Sequence, residues 1–315
     1  MSAMHSVTAE HITREFPGEG KGKVTALRDV SFHVNAGELF GIIGPDGAGK
    51  TTLFRILTTL LLADRGSATV QGLDVVKDYR EIRRQVGYMP GRFSLYQDLS
   101  VEENLTFFAT IFNTSIEENH DLIRDIYVQI EPFRKRKAGK LSGGMKQKLA
   151  LCCALIHRPT VLFLDEPTTG VDAVSRKEFW EMLKRLKAEG ISILVSTPYM
   201  DEAALCDRVA LIQEGTILGI DEPGHFVDRY EKKIWAVRSK DMYRLLQDLR
   251  KRPDTASVYP FGEYQHLTPT HASSDLPELL RSYLVEKGHE DIEVLPAVPG
   301  IEDIFMDLMT HPVKA

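Results

Sequence analysis

The stretch Gly44-Pro45-Asp46-Gly47-Ala48-Gly49-Lys50-Thr51-Thr52 constrains this 315-residue chain more than any other. It satisfies the pattern G-x-x-x-x-G-K-[ST] between a segment that reads as a strand, Glu38 to Ile43, and one that reads as a helix, Thr51 to Leu62. A strand, glycine loop and helix in that order belong to α/β folds, in which a buried sheet delivers its loops to one edge. Phosphate oxygens need many donors in a small space. Glycines let the backbone curl so that successive N–H groups converge on them, and the following helix adds its positive end. Lys50 is then placed to reach β- and γ-phosphates, and Thr51 to hold magnesium. A glycine-rich turn with a chance lysine is the blander reading, and the flanking strand and helix weigh against it.

A second element, Val161-Leu162-Phe163-Leu164-Asp165-Glu166, runs a hydrophobic strand into two adjacent carboxylates. Asp165 could organise magnesium, and Glu166 could polarise an attacking water. Acidic residues also end strands simply because the chain is emerging into solvent, so the pair gains its meaning from the phosphate loop upstream.

From Val7 to about Pro223 short apolar runs alternate with amphipathic segments, the pattern of a sheet covered by helices. Val101, Leu105, Phe108, Ala109 and Phe112 recur at helical spacing, as do Phe179, Met182, Leu183 and Leu186, and both stripes read as core. Ile191 to Val195 reads as another buried strand. Beyond Pro223 the pattern changes to strands at Lys232 to Arg238, Ser257 to Tyr264 and Ile292 to Val298, separated by helices at Met242 to Leu249 and Leu276 to Glu286. The division expected is a domain over residues 1–225 and a small α+β domain over 226–315.

Composition excludes several classes. The chain carries 39 Lys+Arg against 45 Asp+Glu, a net charge of −6, so no basic excess points to nucleic acid. The basic run Arg134 to Lys137 reads as an exposed turn. The longest apolar stretch, Leu149 to Ile156, is far shorter than the ~20 residues a membrane helix needs. Met1 to Glu10 has neither a basic start nor an apolar run, so no leader is expected. Cys152, Cys153 and Cys206 have no metal-ligand spacing and fit a reducing cytosol.

Between the two phosphate-site elements lies Leu141-Ser142-Gly143-Gly144-Met145-Lys146-Gln147. Ser142 is a good N-cap, the paired glycines expose backbone N–H groups, and a helix starting near Met145 aims its positive end outward. On this segment, together with the two elements above, the chain resembles the ATP-binding-cassette (ABC) ATPases. The resemblance implies a P-loop NTPase cassette with a mixed sheet and a helical subdomain at about 88–158, ATP and Mg2+ as ligands, and a head-to-tail dimer. In that dimer Ser142, Gly143 and Gly144 close on the γ-phosphate held by the opposing subunit. It further implies that Phe16 stacks on adenine and that Asp172, in Thr169-Gly170-Val171-Asp172, links the two sites. The segment from Gly87-Tyr88-Met89-Pro90 through Val101-Glu102-Glu103-Asn104-Leu105 looks like the one that contacts membrane-spanning permease subunits. Pro299 to Phe305 looks like part of the accessory domain of some exporter ATPases. The implied place of action is the cytoplasmic face of a membrane.

Two positions depart from the family. Gly91 stands where a glutamine usually follows Tyr88-Met89-Pro90, and Pro198 stands where a histidine usually follows Ser196-Thr197. Both usual residues sense the γ-phosphate or its metal, so this chain's own site is expected to turn over slowly. Its signature segment is intact, which favours a heterodimer with a second cassette over a homodimer with two slow sites. The competing functions are a non-hydrolysing nucleotide-binding subunit and a soluble ABC-type ATPase. A single phosphate loop and the lack of heptad runs speak against the soluble relatives in translation and repair.

Overall fold

The computed structural model describes residues 5–18, 22–271, 273 and 275–310. Residues 1–4, part of the amino-terminal stretch read as lacking a leader, lie outside them. The chain divides into two compact units, Met1–Pro223 and Gly224–Ala315.

The first unit begins with β1 (His5–Pro17) and β2 (Lys23–Asn35), followed by β3 (Leu39–Ile43) and α1 (Lys50–Leu57). Next come β4 (Arg65–Val70), β5 (Leu73–Asp74), α2 (Tyr79–Gln85) and β6 (Val86–Met89). The helices α3 (Val101–Ile111), α4 (His120–Tyr127) and α5 (Gly143–Leu155) precede β7 (Val161–Asp165), α6 (Ala173–Ala188) and β8 (Ser192–Thr197), and β9 (Arg208–Gln213) and β10 (Thr216–Asp221) end the series. A six-stranded sheet has the order β10-β9-β3-β8-β7-β6, parallel except for β10. Every residue of β3, β7 and β8 is buried, which is why the centres of these strands read as apolar runs. An antiparallel sheet, β2-β1-β4-β5, covers α1: Val7, Ile12 and Leu27 share one core with Leu53, Phe54, Phe40 and Phe163. Phe54 and Phe163 meet edge to face at 5.9 Å.

The helix after the phosphate loop stops at Leu57, short of the Leu62 expected. Thr58 returns its hydroxyl to the Phe54 carbonyl (2.8 Å), Thr59 takes a left-handed φ of 64°, and the amides of Leu60 and Leu61 both return to the Arg55 carbonyl. The β-branched Thr58-Thr59 pair and its side-chain bond compete with further helix. α5 packs against α3, α4 and α6, and its Leu149, Leu151, Cys152, Cys153 and Leu155 are all buried.

The second unit holds α7 (Pro223–Asp228, beginning at the division), β11 (Ile234–Arg238), α8 (Met242–Lys251), β12 (Thr255–Phe261), β13 (Tyr264–Pro269), α9 (Leu276–Glu286), β14 (Glu293–Ala297) and α10 (Ile301–Thr310). Its antiparallel sheet, β12-β13-β11-β14, buries Val237, Val258 and Leu267 against Leu245 and Leu249 of α8 and Leu280 and Leu284 of α9. The strand expected over Ser257 to Tyr264 is instead a hairpin, because Gly262, at φ 57°, lets Gly262-Glu263 turn the chain so that Phe261 pairs with Tyr264.

Candidate nucleotide site

β3, β8, β7 and β6 are adjacent and parallel, so their C-terminal ends open on one edge of the sheet. Ile43 leads there into Gly44, Thr197 into Pro198, Asp165 into Glu166, and Met89 into Pro90 and Gly91. Segments far apart in sequence therefore share one rim.

The phosphate loop is fastened to its surroundings through the backbone. Gly44 N–H donates to the Thr197 carbonyl (3.2 Å), and Gly215 N–H donates to that of Ala48 (3.0 Å). A Cβ at Gly44 would lie 2.1 Å from the Ile212 carbonyl oxygen, and one at Gly49, whose φ is 102°, would lie 2.4 Å from that of Ala26. Both positions therefore require glycine. Gly49 caps α1, whose first amides have no helical acceptor and are available to an anion. Lys50 is 3% exposed, and its Nζ donates to the carbonyls of Gly44 (2.8 Å) and Pro45 (2.9 Å) and pairs with Glu166 Oε1 at 3.0 Å.

Asp165 is buried, and Ser196 Oγ donates to its Oδ1 at 2.7 Å. Glu166 has φ 50°, unusual for a side chain other than glycine, and its N–H is held by both the carbonyl and the hydroxyl of Ser196 at 3.0 Å. Gly91 lies against Asp165: a Cβ there would be 3.0 Å from the Asp165 carbonyl oxygen and 3.7 Å from Oδ2. Burial and the Asp165 charge push the Tyr88 phenol up to about 12.

Ser142 caps α5 by accepting the Met145 N–H at 3.4 Å, and Ser142 and Gly143 are exposed. A Cβ at Gly144 would meet Ser175 Oγ at 2.8 Å, and one at Gly143 the Gly170 carbonyl at 3.5 Å. The signature turn thus packs on the start of α6, which Asp172 caps by accepting the Ser175 N–H at 3.0 Å. That bond holds the Asp172 carboxyl below its usual range. Among the described residues, the hydrogen bonds of Ser142 and Asp172 stay within their own turns and helix starts. Phe16 is half-buried near the end of β1, with the Arg14 guanidinium 4.8 Å from its ring centre. It pairs with Val24, two residues before the Ala26 that abuts Gly49.

Sequence reasoning missed Ser196 and Glu202. Glu202, 2% exposed, accepts from Thr168 Oγ1 (2.8 Å) and Thr197 Oγ1 (2.5 Å) and pairs with Arg176 (3.0 Å), tying the loop after β8 to the one after β7. The only sequence signal for Ser196 was a polar residue ending an apolar run.

A family model described as ABC transporter matches residues 27–169. The doxorubicin resistance ATP-binding protein DrrA of Mycobacterium tuberculosis is 41% identical over 305 residues, covering 94% of this chain and 92% of that protein. The chain belongs to the ABC transporter family. A second ABC relative, the Nod factor export ATP-binding protein I of Burkholderia lata, is 40% identical over 291 residues, 91% of this chain and 93% of that protein. The probable multidrug ABC transporter ATP-binding protein YbhF of Escherichia coli is 39% identical over 307 residues, and the chain spans about half of its length (52%). Among solved structures, an ATP-binding subunit of an ABC transporter is 26% identical with a TM-score of 0.63, covering 71% of this chain and 92% of that one. The dimeric ATP-binding cassette MJ0796, bound to ADP and Pi, shares the fold at 24% identity and TM-score 0.63 over 69% of this chain and 98% of that one. The expected P-loop cassette fold is therefore the observed one, and Gly91 and Pro198 stand on the same rim as the phosphate loop.

Proposed function

We propose that this chain is the ATP-binding and ATP-hydrolysing subunit of an ABC exporter, acting at the cytoplasmic face of a membrane with separate permease subunits and a second cassette. The observation that carries the proposal is Lys50, buried among two phosphate-loop carbonyls and Glu166 at 3.0 Å, with Asp165 one residue before Glu166 on the same rim. A triphosphate in this loop takes the free amides of α1 and competes with Glu166 for the ammonium, leaving the carboxylate to polarise a water. The donors suit Mg2+: the Thr51 hydroxyl and an Asp165 oxygen are hard ligands, and a phosphate-bound magnesium needs only one or two of them from protein. Among the described residues no cluster of three or more His, Cys, Asp or Glu forms a cage of another kind.

Export is supported by the names of the relatives. Permease contact is supported by an apolar groove of about 400 Å³ lined by Val86, Met89, Leu95, Phe108, Ile111 and Phe112, with Ile111 58% exposed. Such a groove fits the apolar face of one helix. Ser142 and Asp172, which cap two helices at the place where the signature turn packs on α6, suit closure on a second cassette. Gly91 and Pro198 favour a different chain as that cassette, with unequal sites. Purification from solubilised membranes tests the reading: the chain should bring membrane-spanning subunits with it, and the complex should hydrolyse ATP and lose activity with Glu166→Gln. A chain that stays wholly soluble and ribosome-bound, or a complex that never hydrolyses ATP, contradicts it.

A further inference from the structure

Ser196 has no exposed surface and lies in β8, between the strand that delivers the phosphate loop and the strand that delivers Asp165 and Glu166. The Glu166 backbone N–H can only donate, so at 3.0 Å the Ser196 oxygen accepts it and the hydroxyl proton is left for Asp165 Oδ1 at 2.7 Å. The relay runs one way, from Glu166 N–H through Ser196 to the Asp165 carboxyl. With Oδ1 taken, Oδ2 is the oxygen left on the side of Gly91, where a Cβ would lie 3.7 Å from it. The same hydroxyl, with the Ser196 carbonyl, holds Glu166 at φ 50°, a left-handed conformation unfavourable for a non-glycine residue.

Resting on the ATPase reading above, we propose that Ser196 is a positioning residue for hydrolysis: it fixes which Asp165 oxygen meets the metal and turns the Glu166 carboxylate toward the phosphate site. Gly91 and Pro198, on the same rim, supply no side-chain donor.

The test uses the purified transporter complex carrying Ser196→Ala, Ser196→Thr or Ser196→Val, with fluorescent ATP-analogue binding, Mn2+ affinity by electron paramagnetic resonance in the presence of that analogue, and ATP turnover. For Ser196→Ala the metal-free analogue affinity should stay within about twofold. Mn2+ affinity and kcat should each fall about tenfold to a hundredfold with KM little changed, the range for losing a buried hydrogen bond to a charged group. Ser196→Thr should recover most of the loss, whereas Ser196→Val, of the same shape without the hydroxyl, should not. Unchanged Mn2+ affinity and kcat in Ser196→Ala would overturn the assignment. So would equal losses in all variants accompanied by lowered melting temperatures, since that is a packing role. Failure of the unsubstituted complex to bind the analogue would instead sink the underlying ATPase reading.

Discussion

Placing a histidine at position 198 should accelerate hydrolysis at this chain's own phosphate loop. Residue 198 follows Thr197, whose carbonyl accepts the Gly44 N–H at 3.2 Å, so its side chain projects from the rim that borders the loop. Proline contributes neither a backbone N–H nor a side-chain donor there. A donor aimed at developing charge is worth about 10²–10³ in rate. The surrounding loop is already fastened, with Tyr199 N–H on Thr197 Oγ1 (3.1 Å) and that hydroxyl on Glu202 (2.5 Å), so a new imidazole enters a fixed frame. Pro198→His should therefore raise single-turnover phosphate release, at saturating ATP and Mg2+, by at least about tenfold. It should lower stability by no more than about 1 kcal/mol through the freer unfolded chain. Gly91→Gln alone should gain little, because its Cβ would press to 3.0 Å on the Asp165 carbonyl oxygen, which must give way. The double variant should therefore gain no more than Pro198→His alone. Rapid hydrolysis by the unsubstituted chain without a partner, together with no gain from Pro198→His, would refute the reasoning.

Further outcomes follow from the same geometry. Asn104, fully buried, accepts from Tyr96 N–H (3.0 Å), and its two amide hydrogens are shared among the carbonyls of Tyr96 (3.0 Å), Leu99 (3.3 Å) and Ser100 (2.9 Å). Asn104→Ala should cost about 2–3 kcal/mol in denaturant unfolding and weaken permease association more than nucleotide binding, a sum of net bonds near 1 kcal/mol each. Ser142→Arg should leave analogue binding by this chain alone within about twofold yet cut ATPase activity of the complex at least tenfold, as measured by titration and phosphate release. Burial lowers the pKa of His157, whose Nε2 bonds to the Val86 carbonyl at 3.0 Å and whose ring stacks on Phe112. The unfolded chain then binds more protons than the folded one as pH falls through 6.5, so this contribution is complete above that value and is lost below it. Melting temperatures from pH 7.5 to 5.5 should fall more steeply for the wild type than for His157→Phe, and identical slopes would contradict the assignment.

The parts of the site legible in sequence are those whose chemistry needs contiguous residues. Glycines at 44 and 49 sit where a Cβ would strike the Ile212 and Ala26 carbonyls, and Lys50 must follow directly, so the loop announces itself. Asp165 and Glu166 were legible as the end of a fully buried strand. Ser196 and Glu202 were not, because their bonds to Asp165 and Thr168 join residues more than 30 apart in sequence, and a local pattern carries no such pairing. Gly91 was legible as a missing glutamine, whereas its contact with Asp165 arises from β6 pairing with β7. The hairpin of β1 and β2 went unread because its strands are half-exposed and interrupted by register shifts, which break the period-2 alternation. In the second unit, a two-residue turn at Gly262 left too little polar sequence to separate β12 from β13.

The measurement that bears most directly on the account is equilibrium binding of a fluorescent ATP analogue to the wild-type chain and to Lys50→Ala. The wild type should bind it, and Lys50→Ala should weaken binding by about tenfold to a hundredfold, the value of a charge-assisted bond to phosphate. Equal affinity in the two proteins would mean that the loop does not grip a triphosphate, and the assignment of the chain as an ATP-driven subunit would fall with it.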